Sequence, residues 1–217
     1  MCFSPLASFA TAGVTGVVGL LALSRVREPR DLLLAAVPIF FGAQQAIEGG
    51  LWLLLPVGAH VATAILLTLL FLLFAKVFWP DYAPLMAALS EPSRPRRRLM
   101  FLCLVAGVGL AVYHLSRLLT GPREAEIVHN CIVYRTGEAN PLTAASVYVM
   151  ATVPPLTLSS RRTIVVLGAV MGVGCVVAYL FYLQAFLSVW CFFAAAGSAV
   201  ILAHFELVHR RLHPAAA

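Results

Sequence analysis

The chain has 217 residues, of which 61% are hydrophobic and only 11% charged, where a soluble domain carries about 25% charged residues. Too few polar groups remain to cover a water-facing surface, so the composition excludes an ordinary soluble domain and makes lipid the solvent. The formal net charge of +6 comes from short arginine clusters beside apolar runs, which points to anionic lipid headgroups and away from nucleic acid.

Crossing roughly 30 Å of hydrocarbon at about 1.5 Å per residue takes about 20 apolar residues. Seven segments meet that condition: residues 7–26, 32–55, 59–80, 98–119, 142–159, 163–182 and 186–208. The first is expected to be a spanning helix, because Met1-Cys2-Phe3-Ser4-Pro5 lacks a basic n-region and the run ends in arginines. The third is expected to continue to about Leu89 as a surface helix interrupted by Pro80 and Pro84. The fifth is expected to kink or end at Pro154 and Pro155. Connections are short, so sequential helices should be antiparallel neighbours. The expected fold is all-α, one seven-helix transmembrane domain over residues 1–217.

Arginines set the orientation. Arg25, Arg27 and Arg30 follow the first run; Arg94, Arg96, Arg97 and Arg98 the third; Arg161 and Arg162 the fifth; Arg210 and Arg211 the seventh. The gaps at 56–60 and 182–186 have no Lys or Arg. The positive-inside rule then puts the N-terminus outside and the C-terminus in the cytoplasm. Gly13, Gly16, Gly107, Gly109, Gly168, Gly172 and Gly174 mark expected close helix contacts. Within that set the GxxxG of Gly168 and Gly172 leaves a homo-oligomer face open beside intramolecular packing. Trp52, Trp79 and Trp190, near helix ends, are expected as interfacial anchors. Lys76, the chain's one lysine, is expected to snorkel to the inner headgroups.

Polar side chains inside spanning segments cost free energy unless partnered, so they point to a site. On the second helix Gln44, Glu48 and Trp52 lie four apart on one face, with Gln45 three before Glu48. Tyr113, His114 and Arg117 on the fourth helix lie at a comparable depth, so Glu48 could pair with His114 or Arg117. Tyr134 and His129 in the following loop, and Ser188, Trp190 and Cys191 at the start of the seventh helix, reach the same level. These residues predict an outward-facing polar pocket in the outer third of the bundle. Gln44, Gln45, Glu48, Trp52, Tyr113, His114, Arg117 and Trp190 would bind a small molecule, lipid or metal ion there. Glu48, His114, Cys2 and His129 form a candidate metal set for zinc or copper. His209 and His213 share metal-compatible spacing but read better as a solvated tail. Cys2 and Cys131 would both face outside, where a disulfide can persist.

The opening Met1-Cys2-Phe3-Ser4, the Gln44–Glu48 stretch, Phe78-Trp79-Pro80, Glu91-Pro92, Ile132-Val133-Tyr134 and the segment from Ser188 to Ala195 together resemble an uncharacterised bacterial family of small seven-helix membrane proteins that begin with MCFS. The resemblance implies the architecture and a multi-pass location in the bacterial cytoplasmic (inner) membrane, and no activity. It also draws attention to Cys2, Glu48, Trp190 and Cys191.

Three functional classes follow. The first is a binding protein: a sensor, carrier or accessory subunit acting with a partner membrane protein. The second is an intramembrane enzyme using Glu48 and His114, with Cys2 or Cys191 as a thiolate. The third is a proton-coupled transporter or channel with Glu48 as the titrating group.

Overall fold

The computed structural model describes residues 4–58, 60–137, 141–181 and 185–212, with the backbone alone at 141, 192, 194 and 210–212. The helices are α1 (Pro5–Ser24), α2 (Leu32–Leu54), α3 (Val61–Leu72), α4 (Trp79–Ser90), α5 (Arg94–Thr120), α6 (Pro141–Thr157), α7 (Arg162–Phe181), α8 (Phe186–Ala196) and α9 (Ser198–Leu212). A two-stranded antiparallel hairpin, β1 (Glu124–Val128) and β2 (Cys131–Arg135), is the one departure from an all-α bundle among the described residues. Five stretches are long and apolar enough to cross a membrane: Pro5–Ser24, Pro29–Leu54, Val61–Ser90, Arg94–Thr120 and Arg162–Phe181. The helices α6 and α9 are apolar but shorter.

Local chemistry explains where several helices begin and break. The Ser4 hydroxyl accepts the Ala7 N–H at 3.2 Å and Pro5 opens the first turn, a standard N-terminal cap. The third span continues past Pro80, as expected. It runs on from α3 through a π-helical turn, Leu73–Phe78, into α4. That turn lies directly ahead of Pro80, which has no N–H to donate and crowds the carbonyl four residues back; a widened ladder relieves both. However, α4 is not a surface helix. Met86, Ala87 and Ala88 are at most 1% exposed, and the helix packs on α5 and α6. Pro154 and Pro155 fall within the last turn of α6, which ends two residues later at Thr157. The expected last span is two helices, α8 and α9, separated at Gly197.

Several hydroxyls on the helices satisfy themselves by donating back to carbonyls three or four residues earlier. Thr15 to Thr11, Thr68 to Ala64, Ser116 to Tyr113 and Ser146 to Leu142 all do so at 2.7–2.9 Å. Such bonds let polar residues sit in an apolar setting without a partner on another helix.

Several glycines are required by close approach, among them Gly107, Gly168 and Gly174, where a Cβ on Gly174 would lie 2.6 Å from the Phe193 Cβ. A Cβ on Gly107 would lie 2.1 Å from the Pro80 carbonyl oxygen, and one on Gly168 would lie 2.7 Å from the Leu156 Cβ. These two positions seat α4 on α5 and α6 on α7. Gly13, Gly16 and Gly109, expected in the same role, have open space where a Cβ would be. Gly172 makes only an ordinary contact with Val153, at 3.6 Å.

The bundle has two chemically distinct ends. At one, the arginine-bearing turns are cross-linked: Arg25 pairs with Glu206, Arg161 with Asp31 at 2.6 Å, and Arg96 donates to Leu158 O and Ser160 Oγ. The Glu91 carboxylate ties the α4–α5 turn to the α6–α7 turn. It accepts from Ser93 N (3.0 Å), Ser159 Oγ (3.1 Å), Ser160 N (2.7 Å) and Ser160 Oγ (2.6 Å). At the other end sits the hairpin. Its strands join through His129 and Asn130, both with positive φ (48° and 58°), as a two-residue type I′ turn requires.

Candidate functional site

The polar residues of α2 form a closed network beneath the hairpin. Gln44, Gln45 and Glu48 are at most 1% exposed. The Gln44 amide spans two elements: its oxygen accepts the Trp79 indole N–H at 2.7 Å, and its nitrogen donates to Cys191 Sγ at 3.1 Å. Trp79 in turn stacks on Phe41 with ring centroids 4.1 Å apart. Gln45 donates to Glu48 Oε2 at 3.3 Å, and the Tyr134 hydroxyl donates to Glu48 Oε1 at 3.4 Å. The buried Ser188 hydroxyl lies against the same carboxylate without completing a well-aligned hydrogen bond.

Tyr134 reaches Glu48 because the hairpin folds over the bundle. Its ring stacks almost parallel on Phe71, with centroids 4.4 Å apart and planes at 5°, and Ile132 beside it is fully buried. The sequence already carried the hairpin signal. Glu124–Val128 and Cys131–Arg135 are two β-prone runs separated by His-Asn, residues that tolerate positive φ.

A cavity of about 860 Å³ lies beside this network, between α5, α6, α7 and α8. Tyr148, Val149, Cys175, Phe186, Leu187 and Trp190 supply much of its wall, and Lys76 and His114 contribute basic side chains. Its margin includes Leu142, Met150, Val176 and Leu180, all exposed on the outside of the bundle. Trp190 is fixed in the wall by donating to the Met171 carbonyl at 3.1 Å and packing edge-on against Tyr148.

Several expected placements are revised. The Glu48 carboxylate meets Gln45 and Tyr134, not His114 or Arg117. Buried His114 lines the cavity instead, and Arg117 donates to the Gly137 carbonyl after the hairpin. Gln44, Gln45, Glu48 and Trp52 do not line the cavity; of the expected binding residues, His114 and Trp190 do. Tyr113 is 36% exposed. Trp52, Trp79 and Trp190 are 7%, 6% and 3% exposed, so they are interior residues and not interfacial anchors. Lys76 does not snorkel toward the arginine end: it is buried within the π turn and donates to Thr136 Oγ1, just after the hairpin, at 2.9 Å.

Of the candidate metal set, Glu48 is buried under the hairpin, His129 is exposed at its tip, and Cys2 lies outside the described residues. No group of three or more His, Cys, Asp or Glu residues arranged to hold a metal ion occurs among the described residues. His213 also lies outside them. Cys131 is disulfide-bonded, and Cys103, Cys175 and Cys191 are free thiols. Sequence reasoning missed the cavity residues Tyr148 and Cys175 because nothing in an apolar helix distinguishes a side chain facing a void from one facing lipid.

The chain belongs to a family of unknown function (DUF6629), whose model matches residues 1–217. No curated protein and no solved structure matches it.

Proposed function

We propose that this protein is a membrane-embedded binding protein whose groove between α5, α6, α7 and α8 receives an apolar ligand from the surrounding bilayer. The observation that carries the reading is the cavity itself. Its volume of about 860 Å³ falls within the roughly 300–1,000 Å³ of small-ligand sites. Its margin is formed by residues that also face outward on the bundle. The network around Glu48 then acts as the wall behind the groove, joined to it through the neighbours Trp190 and Cys191.

In this reading seven passes cross the membrane, α3–α4 and α8–α9 each making one. The arginine-bearing turns face the cytoplasm and the hairpin faces outside, where a Cys2–Cys131 bridge would fasten the start of the chain to the hairpin. Accessibility of single introduced cysteines to an impermeant reagent checks the orientation: a residue at Val57 should label from outside and one at Arg162 should not.

The groove is tested by photolabelling in lipid nanodiscs with an alkyl diazirine, followed by peptide mapping. Labels should concentrate on peptides from the first half of α6 and the last half of α7. The Ala145→Trp variant, which fills the groove, should remove them. Uniform labelling of every outward helix face, unchanged by Ala145→Trp, would refute a ligand groove.

A further inference from the structure

One polar group on the groove wall has no use within the protein, and its place in the fold specifies the ligand more closely. Serine and threonine hydroxyls on helices can donate back to their own backbone, as Ser146 does to the Leu142 carbonyl at 2.9 Å. A tyrosine hydroxyl stands too far from its own helix for that, and when buried it normally takes a partner from another element. Tyr82, 8% exposed, donates to the Leu33 carbonyl at 2.8 Å, and Tyr134 donates to Glu48. Tyr148 is as buried as Tyr82, at 9% exposure, yet its hydroxyl has no hydrogen-bond partner among the described residues. Nor does protein enclose that hydroxyl: Tyr148 lines the groove, and the little surface it keeps is there. Its ring is fixed edge-on against Trp190, with centroids 5.0 Å apart.

The other polar groups on the wall are engaged or peripheral. Trp190 gives its N–H to the Met171 carbonyl at 3.1 Å. Lys76 and His114 have partners within the protein. Tyr179, 52% exposed, stands at the margin, and Cys175 offers only a weakly donating thiol. Tyr148 therefore presents a donor to the groove roughly 10–14 Å from either end of α6. At that depth in a hydrocarbon core of about 30 Å there is no water to meet it.

A lone donor in an apolar groove is complementary to an apolar molecule with a lone acceptor. We propose, resting on the groove reading above, that the ligand is an uncharged lipophile with a carbonyl oxygen, such as a long-chain ketone or a quinone, and that Tyr148 donates to that oxygen. The phenolic hydroxyl is a better donor than acceptor, because its oxygen shares a lone pair with the ring; this favours a carbonyl over an alcohol. A formal charge on the ligand would be costly at this depth. The ester carbonyls of a bilayer phospholipid stay near the headgroups, so the occupant is a molecule dissolved in the hydrocarbon and not a lipid of the bilayer itself.

Competition against the alkyl diazirine probe is measured on the intact protein in nanodiscs of an ether-linked lipid, which has no ester carbonyl. The competitors are heptadecane, its symmetric ketone and dioleoyl phosphatidylcholine, each scaled to its content in the bilayer. The ketone should displace the probe about three- to tenfold more effectively than the alkane, and the diester lipid no better than the alkane. Tyr148→Phe, which keeps the ring against Trp190, should bring ketone and alkane to parity with the alkane unchanged. The infrared carbonyl stretch of an isotope-labelled ketone should fall on binding to the unaltered protein and not on binding to Tyr148→Phe.

Parity of ketone and alkane in the unaltered protein would overturn the carbonyl assignment while leaving the groove intact. So would a preference, or a lowered stretch, that survives in Tyr148→Phe. A diester lipid competing as well as the ketone would overturn the assignment to a molecule dissolved in the hydrocarbon. If neither ketone nor alkane displaces the probe and Ala145→Trp has no effect, the groove reading itself fails. The ketone-against-alkane comparison needs no variant, so a misfolded Tyr148→Phe does not protect the proposal.

Discussion

Glu48 and Glu91 are both buried carboxylates, at 0% and 2% exposure, and they are held in opposite ways. Glu91, at the arginine end, takes four hydrogen bonds, two from backbone N–H groups, at 2.6–3.1 Å. Glu48, in the hairpin half, has longer bonds from two side chains, Gln45 and Tyr134, at 3.3 and 3.4 Å. Backbone donors cannot leave without unfolding a turn, whereas side-chain donors can rotate away. Glu91 is therefore a fastener between two turns, and the Glu48 network is an adaptable wall. The same division runs through the molecule: ion pairs lock the arginine end, and the cavity lies in the hairpin half.

The largest expected effect breaks the fastener. Glu91→Ala leaves the Ser93, Ser159 and Ser160 donors unmatched and should cost about 1.5–3 kcal/mol, the range for hydrogen bonds to a charged group. Thermal unfolding in detergent measures it, and a loss below about 1 kcal/mol would remove the distinction between the two carboxylates. Acid offers the same test without mutation. Burial pushes the Glu91 carboxyl upward, but the Ser160 side chain and backbone, with Ser93 and Ser159, outweigh it and hold the group below its ordinary value of 4.5. A depressed folded-state pKa gives stability that is present above 4.5 and lost as pH falls through the folded value. Stability should therefore decline below pH 4.5 in the parent protein, and that part of the decline should be absent in Glu91→Gln.

Smaller effects are expected under the hairpin. Tyr134→Phe keeps the stack on Phe71 and removes one hydrogen bond, so it should cost about 0.5–1.5 kcal/mol and speed amide exchange in β2. Exchange unchanged from the parent would mean that the stack alone holds the hairpin. Glu48→Gln retains an acceptor for Tyr134 and should change stability by less than about 1 kcal/mol. A large loss, as great as that of Glu91→Ala, would make Glu48 a fastener too.

The adaptable wall was the more legible of the two in the sequence. Gln44, Gln45 and Glu48 stand out because polar groups are conspicuous in an apolar helix, and helical spacing puts them near one another. Glu91 did not stand out, because a glutamate in an arginine-rich turn looks solvated until the α6–α7 turn is folded against it. Lys76 was misread for a related reason. Its place near Pro80 resembled a helix end, and only the π turn and the continuation through α4 put it inside the bundle.

The sequence by itself determined the class of the molecule, the extents of α1, α2, α5 and α7 within a few residues, and the level at which polar residues gather. Those properties follow from composition and helical periodicity, which are local. Tertiary structure decided which partners the polar groups take, that the hairpin seals them, and that the cavity opens among α5–α8 and not at Glu48. Those outcomes depend on how helices are rotated about their own axes. That rotation is set by close contacts such as Gly107 on Pro80 and Gly168 on Leu156, and no pattern within a single segment encodes it.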